Sequence, residues 1–95
     1  MVKHIVMFKL IEKNKTNIEK VINALKSLEG NIEVLRSLEI GIDFIQSERS
    51  YDIVLTTELD NREGLEIYKP HPNHLPVVKI IRSLCSGSVT VDYEF

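Results

Sequence analysis

Hydrophobic and polar positions along the chain alternate between two periods, and the switches between them mark out six elements. From about Val2 to Ile11 the even positions Val2, His4, Val6, Phe8 and Leu10 form one face of a strand. The odd face is mixed, with Ile5 and Met7 at its centre. A strand covered on one side only would show a polar odd face, so the pattern predicts a sheet covered on both. From about Asn17 to Glu29 the period becomes helical, and Ile18, Val21, Ile22, Leu25 and Leu28 make one apolar stripe. Thr16 with Glu19 fits a capping box, and Gly30 suits the left-handed residue that ends a helix. A long strand is predicted from about Ile32 to Phe44, with Leu38, Ile40, Ile42 and Phe44 alternating against polar neighbours. A second strand runs from Tyr51 to Leu59, and the short connection implies a hairpin.

The next helical region is interrupted. Asp60 with Glu63 offers a start, and Leu65 and Tyr68 lie on one side. Pro70 and Pro72 then break the backbone pattern, while Pro76 suits the first turn of a following helix. That helix carries Val77, Ile80, Ile81 and Leu84 as its stripe and is expected to end at Gly87. The last strand is Val89 to Phe95. The order β-α-β-β-α-β is the split βαβ pattern of ferredoxin-like α+β folds, with an antiparallel four-stranded sheet and helices on one face. By parity Ile5, Met7, Leu35 and Val54 fall on the other face, which a lone subunit leaves wet. Such a patch is an association surface, so a homodimer with two sheets face to face, a dimeric α/β barrel, is expected. An RNA-binding sheet would need exposed aromatic residues on its central strands, and the positions available are Ile5, Met7, Val54 and Thr56.

Composition narrows the picture further. Ninety-five residues are enough for a single domain, expected over 1–95. The net charge of -2 and the lack of a Lys/Arg cluster argue against a nucleic-acid partner. No apolar run is long enough to span a bilayer, so no membrane partner is expected. The single cysteine, Cys85, cannot form an internal disulfide, which favours a reducing, cytoplasmic setting. Near a helix C-terminus it is expected to be a quiet, buried thiol.

The candidate chemistry lies in Tyr68 and His71-Pro72-Asn73-His74. On a regular helix these rings would share a side, but the prolines interrupt it. His4, by parity with Val6 and Phe8, looks toward the helices and can approach His74 inside the subunit. Imidazole titrates near neutral pH and a phenol supplies a proton donor, so Tyr68 and His74 can act as an acid–base pair beside a carbonyl, with His4 orienting one of them. The competing reading makes His4 a satisfied core residue and His71 a shaper of the helix break. A zinc site from His71 and His74, with His4 or Cys85, is weaker, because the helical zinc signature of two histidines four apart with a glutamate is absent. No phosphate loop or carboxylate pair stands out, and neither a metal nor a cofactor is called for.

The opening strand Met1-Val2-Lys3-His4-Ile5-Val6-Met7-Phe8-Lys9 resembles that of the stress-responsive dimeric α/β-barrel (Dabb) family. The stretch Tyr68-Lys69-Pro70-His71-Pro72-Asn73-His74 and the terminal Val89-Thr90-Val91-Asp92-Tyr93 resemble that family's most characteristic segments. The resemblance implies a homodimer but no single activity. Plant polyketide cyclases of this family close a ring by aldol-type condensation without a redox cofactor. The resemblance aligns their histidine and tyrosine with His74 and Tyr68, and a supporting histidine with His4. A further pocket tyrosine of those cyclases aligns with Leu25, which puts their substrate in question here. Two expectations follow. One is a cofactor-independent cyclase- or lyase-type enzyme with a pocket for a small apolar or carbonyl-bearing molecule. The other is a non-catalytic stress-responsive or ligand-binding dimer.

Overall fold

The computed structural model describes Met1 to Phe95. The chain runs β1 (Val2–Leu10), α1 (Lys15–Lys26), β2 (Leu35–Ile42), β3 (Ile53–Leu59), α2 (Arg62–Tyr68), α3 (Leu75–Leu84) and β4 (Cys85–Glu94). The strands form one antiparallel sheet in the order β2-β3-β1-β4. This is the ferredoxin-like βαββαβ arrangement, with the second helical unit divided at the prolines. No helix is long and apolar enough to cross a membrane.

Strand parity decides what meets the helices. Val2, His4, Val6 and Phe8 of β1 stand opposite Leu59, Thr57, Leu55 and Ile53 of β3. These rungs face α1, α2 and α3, and Val2, Phe8, Ile53, Leu55 and Leu59 give the sheet side of one buried apolar cluster. Val21, Leu25 and Leu28 enter it from α1, Leu65 and Tyr68 from α2, and Val77 and Ile81 from α3. On the reverse face Ile5 lies between Thr56 and Val91, and Met7 between Val54 and Val89. Val89, Val91 and Tyr93 are exposed there. The wet apolar face expected from Ile5, Met7 and Val54 is therefore present, and β4 widens it.

Leu35 does not belong to that face. The β2–β3 register shifts between Leu35 and Ser37, so Leu35 pairs with the fully buried Leu59 and packs on the core. One irregular residue, Arg36, reverses the parity that regular alternation assigns.

Other differences lie at element ends. The cap of α1 is Asn14, whose Oδ1 accepts from Asn17 N at 2.8 Å, and Thr16 lies inside the helix. The cap of α2 is Asn61, whose Oδ1 accepts from Gly64 N at 2.9 Å. Asp60 instead pairs with Arg36 at 2.8 Å. Both asparagines hold extended backbone, which lets the side chain reach forward to an unpaired helical N–H. Gly30 does take the left-handed conformation, with φ of 78°. Gly87 does not end α3: the helix stops at Leu84, Cys85 is already extended, and Gly87 pairs with Lys9 within β4. Ladder bonds to β1 take over from helical ones before the glycine is reached. β2 is also shorter than its alternation suggests, and Phe44 beyond it is 86% exposed.

One buried charge had no signal in the periodicity. Asp52 is buried, and its Oδ2 accepts from Leu10 N at 2.8 Å where the β1–β4 register shifts. Lys13 approaches its Oδ1 at 3.3 Å. The carboxylate thus satisfies a backbone donor that the irregular ladder leaves free and keeps a cation beside it.

Candidate active site

A pocket of about 210 Å³ opens between α3 and the β1–β4 side of the sheet. Its apolar walls include Val6, Phe8, Leu25, Leu28, Leu55 and Val77. His4, Tyr68 and His74 stand together at one end of it, brought there from β1, from the end of α2, and from the residue that precedes α3. The Tyr68 and His74 ring centroids are 4.4 Å apart, and those of His4 and Tyr68 are 6.0 Å apart with edge-to-face geometry.

The loop between α2 and α3 is what turns His74 inward. His71 N donates to Tyr68 O, and His74 N donates to His71 O, so two tight turns replace the helical ladder across the prolines. His71 Nδ1 accepts from Asn73 N at 3.0 Å, which places the proton on Nε2, 3.2 Å from Glu33 Oε2. Asn73 Nδ2 donates to Asn31 O at 2.8 Å and ties the loop to the turn that follows α1. His71 therefore has a structural place in the break and does not line the pocket.

The protonation pattern of the pocket end follows from its partners. His74 Nδ1 lies 2.7 Å from Lys69 O. A carbonyl can only accept, so Nδ1 carries the proton and Nε2 holds a free lone pair. Burial pulls the His74 pKa below its ordinary 6.5, with the nearby His4 and His71 adding to the effect, while the bond to Lys69 opposes it. The imidazole is neutral at pH 7. Tyr68 is fully buried, and its hydroxyl has no hydrogen-bond partner within the chain. Burial pushes its pKa up to about 12, so it remains a protonated donor at neutral pH. His4 Nδ1 donates to Asp92 Oδ1 across the β1–β4 rung, which sets its tautomer and ring plane.

Asp92 is the residue of this end that periodicity passed over. In β4 the apolar alternation belongs to the wet face, so the polar set of Ser88, Thr90 and Asp92 turns toward the helices. Ser88 and Arg82 also line the pocket. On α3 the expected stripe is shifted: Ile80 is 44% exposed, and Val78 faces the pocket in its place. Cys85 is half-buried beyond the far end, its thiol pushed up first by burial and then by Asp52. His71, His74, His4 and Cys85 do not converge, and no three metal-ligating side chains come together anywhere in the chain.

The stress-responsive A/B barrel (Dabb) family model matches residues 2–95. The chain belongs to that family. It is 30% identical over its whole length, and over the whole of the relative, to an uncharacterized protein of Streptomyces coelicolor. It is also 30% identical to a stress-response A/B barrel domain-containing protein of Arabidopsis thaliana, covering 98% of this chain but 36% of the plant protein. A dimeric ferredoxin-like protein of unknown function from Bacteroides fragilis superposes with a TM-score of 0.83 at 34% identity, covering 99% of this chain and 95% of that one. The hydroxynitrile lyase of Passiflora edulis shares the Dabb chain's fold with a TM-score of 0.83 at 15% identity, covering 97% and 90% of the two chains. The solved structures similar to this chain thus include a dimer of unknown function and, at the level of fold alone, an enzyme.

Proposed function

We propose that this Dabb protein is a homodimer in which each subunit performs acid–base chemistry on a small carbonyl compound, of the cyclase or lyase type and without a redox cofactor. The reading rests on one observation above all: the ring of a neutral His74, with its Nε2 lone pair free, lies 4.4 Å from the ring of Tyr68, whose buried hydroxyl nothing in the chain satisfies. A bound carbonyl oxygen would accept from Tyr68. His74 Nε2 would take a proton from the adjacent carbon, and the electron pair left behind would move toward the carbonyl oxygen. The resulting enolate is stabilised where its charge develops, in an apolar setting that strengthens the hydrogen bond. It then attacks a second carbonyl or is reprotonated by the imidazolium. His4, held by Asp92, would keep the Tyr68 ring in place. The wet face of Ile5, Met7, Val54 and Val91 fits the dimer, and the dimeric state of the Bacteroides fragilis relative supports it. A reducing, cytoplasmic compartment suits the lone Cys85.

A second reading has its own support. Leu25 lines the pocket where the polyketide cyclases resembled here carry a tyrosine, so one polar contact to such a substrate is missing. The same pocket would then serve a non-catalytic, ligand-binding dimer.

Deuterium exchange into the methyl group of acetophenone, followed by NMR in D2O, separates the two. Acid–base function predicts exchange above the buffer rate, lowered about 10²-fold or more by His74→Gln and by Tyr68→Phe. Because the His74 pKa lies below 6.5, the rate should be flat near pH 7 and fall in acid as Nε2 takes up its proton. Binding of acetophenone with exchange no faster than buffer would leave the ligand-binding dimer.

A further inference from the structure

The pocket has two chemically different ends. His74, Val78 and Arg82 follow one another at intervals of four along the same ridge of α3, and all three line the pocket. Eight residues of helix separate the imidazole from the guanidinium, about 12 Å along the axis. The opposite wall has the same span. The Phe8–Ser88 rung of β1 and β4 lies four residues from the His4–Asp92 rung, about 13 Å along the strands. Between the two ends the lining is apolar, with Val6, Val77 and Ile81.

The two ends also differ in charge. At the Tyr68 end no lysine or arginine lines the pocket, and the Asp92 carboxylate is already paired with His4. At the other end Arg82 is the one lysine or arginine in the lining, and it has no ion-pair or cation–π partner in the chain. Arg36 and Arg62, by contrast, are each paired with a carboxylate. An unpaired guanidinium at the mouth of an apolar slot is a fork of donors matched to a carboxylate. Ser88 lines the pocket beside it and offers a neutral donor.

We infer that the ligand is an elongated apolar carboxylate, seated with its carboxylate on Arg82 and its carbonyl, or the group that stands for one, at Tyr68 and His74. The carbonyl half of this assignment rests on the acid–base reading above. The carboxylate half rests on Arg82 alone.

Calorimetry at pH 7 with the whole protein and three probes tests each half separately. The probes are 4-(4-acetylphenyl)butanoate, its primary amide, and 4-(4-ethylphenyl)butanoate, which lacks the ketone. The keto acid should bind about tenfold more tightly than the keto amide. Arg82→Gln should reduce that preference below about twofold, Arg82→Lys should keep part of it, and added salt should weaken it. Equal binding of acid and amide overturns the inference. So does a preference undiminished in Arg82→Gln, or the lack of binding by all three probes at millimolar concentration. The ketone contrast reports on the other end. If the keto and ethyl acids bind equally while the acid preference depends on Arg82, the carboxylate assignment stands and the acid–base reading of Tyr68 and His74 falls.

Discussion

Tyr68 carries a conflict between stability and the chemistry proposed for it. Its ring fills the core, yet its hydroxyl is buried with no partner in the chain, and a buried unsatisfied hydroxyl costs about 1–3 kcal/mol. Tyr68→Phe keeps the ring and removes that cost. Urea unfolding of Tyr68→Phe should therefore show stability equal to the parent or higher by up to about 3 kcal/mol, even as the proposed exchange chemistry is lost. A loss of more than about 1 kcal/mol would mean that the hydroxyl is satisfied in solution and not held in reserve for a ligand. His74 and His4 show how much of the site could be read residue by residue. Alternation in the first strand put His4 on the helix side. The spacing from Tyr68 to His74 raised their pairing, but only the folded loop shows which nitrogen is free. Nothing in the order of residues says that Lys69 O will meet His74 Nδ1, because that contact depends on how the chain turns across two prolines.

At the scale of elements, existence and type follow from periodicity, and boundaries from local competition. The capping-box pattern points to Thr16 as the cap of α1; Asn14 takes that place because its backbone is extended and its Oδ1 reaches Asn17 N. Asn14→Ala should cost about 1 kcal/mol in chemical unfolding, while Thr16→Ala should change stability by less than about 0.5 kcal/mol. The opposite order of effects would restore the Thr16–Glu19 capping box. The β2 irregularity at Arg36 is a related case. A single bulged residue sends Leu35 to the core and leaves Arg36 free to pair with Asp60. Register is a property of two strands together, so regular alternation in one of them cannot reveal the shift. Asp52 was illegible for the same reason: its role is to satisfy Leu10 N at a ladder fault between β1 and β4.

At the scale of the whole molecule, the sheet has one face under helices and one apolar face without cover. Val89, Val91 and Tyr93 are exposed on it beside Met7. Burying these side chains against a second copy would contribute roughly 25 cal/mol per Å² of apolar surface, which a chain of this size has reason to recruit. Val91→Lys places a charge at the centre of that face, directly across from Ile5. Light scattering should give a dimer for the parent and a mass near 10.9 kDa for Val91→Lys. A parent already monomeric at micromolar concentration would overturn the dimer. The candidate site lies on the opposite side of the sheet, so a folded Val91→Lys monomer would keep its pocket walls.

Hydrophobic periodicity was sufficient for the order of elements, the helix-covered side of β1 and the apolar reverse face, because burial of alternating or helically spaced side chains is a local consequence of backbone geometry. The same reasoning brought His4 toward His74 inside the subunit. Tertiary structure alone decided the rest: the tautomer of His74, the Asp92 partner of His4, the course of the pocket toward Arg82, the buried Asp52 and the side of the sheet that Leu35 joins. Each of these depends on strand register or on a contact between segments distant in the chain, and such contacts are made only when the elements pack.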